Sequence, residues 1–174
     1  MARVDRRKLI FTDETGFHLA LTRAYGRAPR GERVVGHVPL NRGRNHSLIG
    51  SLGLRGIVAS MLLKGSIDHS AFDAFVNELL LPRLRAGDVL LLDNLPAHKA
   101  SQVEQSVARA RAELIWLPAY SPDFSPNENC WLKMKTMVRG QQPRTVQDLT
   151  EAVRTALQAI TKEDIAAWFT HCGY

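Results

Sequence analysis

Three carboxylates in this 174-residue chain fall where chemistry is often done. Asp93 ends the apolar run Leu90-Leu91-Leu92-Asp93, and Asp13 ends Lys8-Leu9-Ile10-Phe11-Thr12-Asp13. Glu128 follows Ser125 by three residues at a helix start marked by Pro126. An acid at the C-terminal end of a buried strand points into the crevice where α/β sheets bind ligands. Carboxylate oxygens are hard ligands that suit magnesium or manganese, and three acids converging without a cation would repel one another. Two cations held about 3.5–4 Å apart stabilise both the attacking and the leaving oxygen of an in-line displacement at phosphorus. On their own the acids imply metal-dependent phosphoryl chemistry and nothing finer. Each also has a plainer role: Asp93 as a turn or N-cap residue, Asp13 as the polar start of a turn, and Glu128 as the partner of Ser125 in a capping box. Asp123, in Ser121-Pro122-Asp123, competes for the third position, but its proline-bounded setting suits a turn residue better.

The elements that must position these acids are legible from hydrophobic period. Residues 8–13 and 17–22 read as a hairpin about Glu14-Thr15-Gly16, with Leu9, Phe11 and Asp13 on one face and Glu14 on the other. A second strand–turn–strand follows at 46–53 and 56–63. Helical spacing of Phe72, Phe75, Val76 and Leu79 predicts a helix over 69–84 with Asp68 as N-cap. Then come a strand at 88–93, a helix at 99–110, a strand at 113–117 and a helix from Pro126. Thr145 with Asp148 opens a further helix, and a last one covers 162–169. Hairpin strands followed by alternating strand and helix make a mixed α/β sheet with helices on its faces. The expected division is a catalytic domain over 1–142 with a helical extension, 143–174, packed on it.

Net charge is +6 and the pI is near 9.7. Residues 23–44 hold Arg23, Arg27, Arg30, Arg33, Arg42 and Arg44 against Glu32 alone, so +5 of that charge sits in one glycine- and proline-rich stretch. Such a stretch is a loop or a loosely paired ribbon, and arginine's planar fork suits phosphate oxygens. On the helix from Pro126, Glu128, Leu132, Lys135 and Arg139 share a face, so Lys135 and Arg139 can run along DNA or simply stand solvated near a helix C-terminus. Trp116 and Trp131 read as core, and His37, His46 and His69 lack zinc-ligand spacing. Two cysteines make no disulfide framework, and no apolar run reaches the roughly 18 residues of a membrane span. Because the start, MARVDRRKLIF, lacks the apolar segment of an export signal, a cytoplasmic location is expected.

Between Asp93 and Glu128 lie 34 residues, bounded by Asp93-Asn94-Leu95-Pro96-Ala97-His98 and by the segment Leu117 to Trp131, LPAYSPDFSPNENCW. These motifs, with the opening FTDETGF, resemble the DDE transposases of the mariner-like superfamily, in particular bacterial insertion-sequence transposases. The resemblance runs from about residue 8 to at least 140. It implies a ribonuclease H-like fold and a catalytic, metal-binding triad of Asp13, Asp93 and Glu128 holding two magnesium ions, for which manganese can substitute. Asn94 and His98 would support Asp93 or orient phosphate. The implied reaction nicks DNA at the terminal inverted repeats of an element, then joins the freed 3′-hydroxyl to target DNA, at TA dinucleotides. A homodimer is expected, and no membrane. Ser125 stands where the family often has Asn, and Asn127 where it often has an apolar residue, which bears on packing at the helix start. Family members usually carry helix-turn-helix domains before the first acid, whereas twelve residues precede Asp13 here, so a separately encoded N-terminal DNA-binding half is a further expectation. Two rivals stand beside this reading: a decayed or domesticated remnant that only binds DNA, and a hydrolase of RNA–DNA hybrids on the same fold.

Overall fold

The structure is a computed structural model that describes residues 4–93, 101–118 and 121–174. Its centre is a five-stranded sheet in the order β3-β2-β1-β4-β5. The strands are β1 (Leu9–Phe17), β2 (His46–Gly53), β3 (Gly56–Lys64), β4 (Val89–Leu92) and β5 (Glu113–Trp116). β1 pairs antiparallel with β2, and β2 with β3, whereas β4 runs parallel to both β1 and β5. The sheet is therefore the mixed one expected. Helices α1 (His69–Ala74) and α2 (Ser101–Arg109) belong to one side, and α3 (Pro126–Gln141), α4 (Val146–Gln158) and α5 (Lys162–His171) to the other.

The two faces of the sheet carry separate cores, as period-2 alternation dictates. Leu9, Phe11, Leu48, Leu52, Val89 and Leu91 pack with Trp131, Met134 and Val138 of α3, Leu149 and Val153 of α4, and Ile165 and Phe169 of α5. Ile10, Ile49, Leu90 and Leu92 face Phe72, Phe75, Val76 and Leu80, with Val103 and Val107 of α2. Helices α4 and α5 thus share a core with the sheet. Asp68 caps α1 as its spacing predicts, accepting from the Ala71 N–H. The helical path then widens to a π turn over Phe75–Leu80 and tightens over Leu81–Arg83.

One expectation fails. Residues 17–22 are not a strand, and Glu14-Thr15-Gly16 is not a turn, because β1 continues unbroken to Phe17. Its register with β2 runs from Ile10↔Gly53 through Asp13↔Gly50 to Phe17↔His46. The same alternation that buries Leu9 and Phe11 goes on through Asp13 and Thr15 to a fully buried Phe17, so the apolar ends outweigh the turn-like composition between them. The hairpin partner of β1 is β2, reached through the arginine-rich stretch, which has no regular secondary structure.

Candidate active site

Each acid is delivered by a different element. Asp13 lies within β1. The β1–β4 register ends at Thr12↔Leu92, so Asp93 follows β4 one step beyond, beside Asp13, on strands about 4.8 Å apart. Glu128 projects from the first turn of α3, and Asn127 brings that turn to the sheet. The Asn127 amide, fully buried, donates to the Phe11 carbonyl (3.2 Å) and the Gly50 carbonyl (3.4 Å), tying α3 to β1 and β2 at once. One turn on, the Trp131 indole Nε1–H donates to Asp13 Oδ2 at 3.0 Å, while the Glu14 N–H donates to Oδ1 at 2.7 Å.

The electrostatics follow from this convergence. Burial, more than anything else, pushes the Asp13 carboxyl up to about 6. The Glu14 and Trp131 hydrogen bonds pull it down, and the like charges of Asp93 and Glu128 push it up further. Asp93 and Glu128 therefore each lie near enough to repel Asp13, and no ion pair among the described residues involves Asp13. Among the described residues no three His, Cys, Asp or Glu side chains are already drawn within reach of a single ion. The donor chemistry nonetheless fits a hard divalent cation: three carboxylates, on a strand, at a strand end and on a helix start, whose like charges such an ion offsets.

Glu128 is not absorbed by helix capping. Ser125 is the N-cap of α3, but its side chain makes no capping hydrogen bond, so the Ser125–Glu128 box that the sequence suggests does not form, and Glu128 is exposed. Asp123 is exposed in the short Pro122–Phe124 turn, as expected of a turn residue. Asn94 and His98 lie outside the described residues.

All six arginines of the 23–44 stretch are exposed. The stretch is tied back over the end of α3: Arg23 donates to the Gly140 carbonyl, Arg144 to the Leu19 and His37 carbonyls, and the Leu19 N–H to the Arg42 carbonyl. Half-buried His18, just past the end of β1, is held below its usual range by its own burial and by the charges of Arg42 and Arg139. That point is five residues past Asp13, about 16 Å along the strand. Lys135 and Arg139 are half-buried on α3. Arg27, Arg30, Arg33 and Arg44 lie in the exposed stretch.

The sequence reading of Trp131 as core and of Asn127 as a packing residue holds, but it gave neither a part beside the acids, and Gly50 none at all. A signal existed for Trp131: it follows Glu128 by three residues, on the same side of the helix, and a buried indole N–H needs an acceptor. Nothing local marks Gly50 or the carbonyls that Asn127 bonds, since these roles join a helix and a strand far apart in sequence.

Three solved structures of Mos1 transposase show what this fold is similar to. The Mos1 paired-end complex with left transposon end matches with a TM-score of 0.77 at 19% identity, over 95% of this chain and 52% of the Mos1 chain. The Mos1 mariner paired-end complex with Mn gives 0.76 at 18%, over 95% and 53%. The Mos1 catalytic domain with raltegravir and Mn gives 0.70 at 16%, over 98% and 82%. The chain thus spans about half the length of the Mos1 chains in the paired-end complexes. At these identities the likeness shows the fold, the ribonuclease H-like sheet expected from the sequence. No curated protein matches the chain. The family model described as DDE superfamily endonuclease matches residues 8–150, which takes in Asp13, Asp93 and Glu128. The chain belongs to the DDE superfamily endonucleases.

Proposed function

We propose that this chain is the catalytic part of a mariner-like transposase, which cuts DNA at the ends of a mobile element and transfers the freed 3′ end into target DNA. The observation that carries the reading is that Asp93 follows β4 beside the β1 strand of Asp13, and that the helix start bearing Glu128 is docked there by Asn127 and Trp131. The three acids would hold two magnesium ions, or manganese in their place. Once bound, such ions activate the attacking oxygen and stabilise the leaving one at phosphorus. The protein's part is placement. Asp13 would be set within β1, Asp93 directly after its parallel neighbour β4, and Glu128 on a helix tied to both β1 and β2.

Asn94 and His98 would support Asp93 or orient a phosphate. Arg23, Arg27, Arg30, Arg33, Arg42 and Arg44, with Lys135 and Arg139, would hold the DNA backbone, which their exposure or half-burial permits. Mos1 structures with a transposon end, in a strand transfer complex, and with Mg or Mn support the choice of substrate and ion. Terminal inverted repeats, a TA target, a homodimer and a sequence-reading half supplied from elsewhere belong to the same reading. So do a cytoplasmic bacterial setting, with the protein on the nucleoid when bound to DNA, and residues 143–174 as an extension that completes the catalytic domain. No helix among the described residues is long and apolar enough to cross a membrane.

The test is strand cleavage of an inverted-repeat duplex with Mg²⁺ or Mn²⁺, with any separately encoded N-terminal half supplied. Asp93→Asn should lower cleavage by at least about 100-fold, since it removes a charge that the ions need. Equal cleavage by wild type and Asp93→Asn removes Asp93 from the site. A folded, reconstituted protein that binds the duplex and never cuts it is a DNA-binding remnant.

A further inference from the structure

We propose that Trp131 is a positioning residue for Asp13: its indole N–H fixes the orientation in which that carboxylate meets a divalent cation, and Gly50 provides the space that the ring occupies. The inference rests on reading Asp13 as a metal ligand.

Each oxygen of the Asp13 carboxylate takes one donor, Oδ2 from the Trp131 indole at 3.0 Å and Oδ1 from the Glu14 N–H at 2.7 Å. Two donors on two oxygens set the carboxylate plane, and an ionised carboxylate with about four lone-pair sites keeps the rest for a cation. Trp131 is only 3% exposed, so its N–H has little water to turn to and its ring little room to move.

Gly50 explains how so large a ring reaches this spot. It lies directly across from Asp13 in the β1–β2 register. A Cβ there would come within 2.8 Å of Trp131 Cη2, so any other residue would displace the ring that carries the donor. Asn127, one turn earlier on α3, bonds the Gly50 carbonyl and sets the depth at which the helix lies. Strand and helix are cut to fit one another around a single hydrogen bond to an acid.

The donor's neutrality also favours a positioning role. An arginine or lysine at this place would orient Asp13 equally well, but would cancel the charge and compete with a metal ion. An indole orients the carboxylate and leaves its charge in place.

The full chain should be titrated with Mn²⁺ by calorimetry as wild type, Trp131→Phe, Gly50→Ala and Asp13→Asn, with folding followed by circular dichroism and melting. Trp131→Phe keeps an aromatic ring and loses the donor. It should bind Mn²⁺ about ten-fold more weakly while melting as a cooperative fold, since groups that orient metal ligands typically matter at that level. Gly50→Ala should shift affinity in the same direction. A second readout uses the wild type itself. The chain has three tryptophans, so Trp116→Phe and Trp168→Phe assign the Trp131 indole ¹H–¹⁵N signal by elimination, even if Trp131→Phe does not fold. That signal should move as Mg²⁺ is added, because its acceptor takes up the ion. Unchanged Mn²⁺ affinity in folded Trp131→Phe, or an indole signal that stays still while Mg²⁺ saturates, overturns the positioning role and leaves the acids' assignment intact. If the wild type binds no Mn²⁺, or Asp13→Asn binds it as tightly, the reading of the acids falls and this inference falls with it.

Discussion

Two carboxylates, one buried and one half-buried, show how differently this fold treats acids drawn out of water. Asp88 precedes β4 and is 3% exposed. Arg55 grips it with both guanidinium nitrogens, at 3.0 and 2.7 Å, and the Arg85 N–H donates to it at 2.8 Å. Arg55 is itself held by the Arg83 carbonyl. Asp13, in the middle of β1, has two neutral donors, two acids nearby and no ion pair among the described residues. Removing a carboxylate from water is costly unless it is paired. At Asp88 the chain supplies the counter-charge. At Asp13 it supplies only geometry, which is what a site awaiting a cation from solution requires.

The largest effect expected from this contrast is at the paired acid. Arg55→Met leaves Asp88 buried with its charge uncompensated, a change that typically costs about 3 kcal/mol or more. The urea midpoint should fall accordingly, and adding Asp88→Asn in the same chain should recover most of the loss. Mn²⁺ affinity should not change. A wild-type midpoint in Arg55→Met means that Asp88 is satisfied without the pair, and the contrast with Asp13 disappears.

The opposite sign is expected at the unpaired acid. A carboxyl whose folded pKa lies above its unfolded value destabilises the fold once it ionises. Here that cost begins above the unfolded value of 3.8 and is complete above about 6. Metal-free Asp13→Asn should therefore be more stable than wild type at pH 8, by up to about 3 kcal/mol, and the gap should close below pH 4. Saturating Mg²⁺ should stabilise wild type and leave the variant unmoved. Stability curves against pH, with and without the ion, check both signs. A variant less stable than wild type at pH 8 means that the site is satisfied as it stands. In strand cleavage the same group predicts loss of activity as pH falls through about 6 in weak Mg²⁺, where protons and ion compete for one carboxylate.

The sequence announced the site better than its support. Asp13, Asp93 and Glu128 fall at ends of apolar runs and at a helix start, which are local signals, and the charges of Asp93 and Glu128 both reach Asp13. The sheet, the face assignment of Asp13 and the Thr145–Asp148 box were likewise legible, because period and capping are written in neighbouring residues. Misreading β1 as a hairpin has a physical cause. Asp-Glu-Thr-Gly is turn-like in composition, yet β2 supplies partners along its whole length, and strand pairing is a non-local fact. Trp131, Asn127 and Gly50 were hidden for the same reason. Each acts across more than 70 residues of chain, on Asp13, on Phe11 and Gly50, and on the ring of Trp131.

Helix starts repeat the contrast on a smaller scale. At α4 the Thr145 hydroxyl accepts from the Asp148 N–H, and the Asp148 carboxylate accepts from the Thr145 N–H. At α3, Ser125 and Glu128 have the same spacing, yet Ser125 makes no capping bond. Thr145→Ala should therefore cost about 1 kcal/mol. Ser125→Ala should cost less than half of that, and Glu128→Gln should lower Mn²⁺ affinity with little change in melting temperature. The two alanine variants, unfolded side by side in urea, measure whether a capping pattern has been left open at the site. Equal losses mean that the Ser125 hydroxyl does cap α3 in solution. Glu128 would then be engaged at the helix start, and the three-acid site would lose the member whose placement depends most on remaining unspent by its own helix.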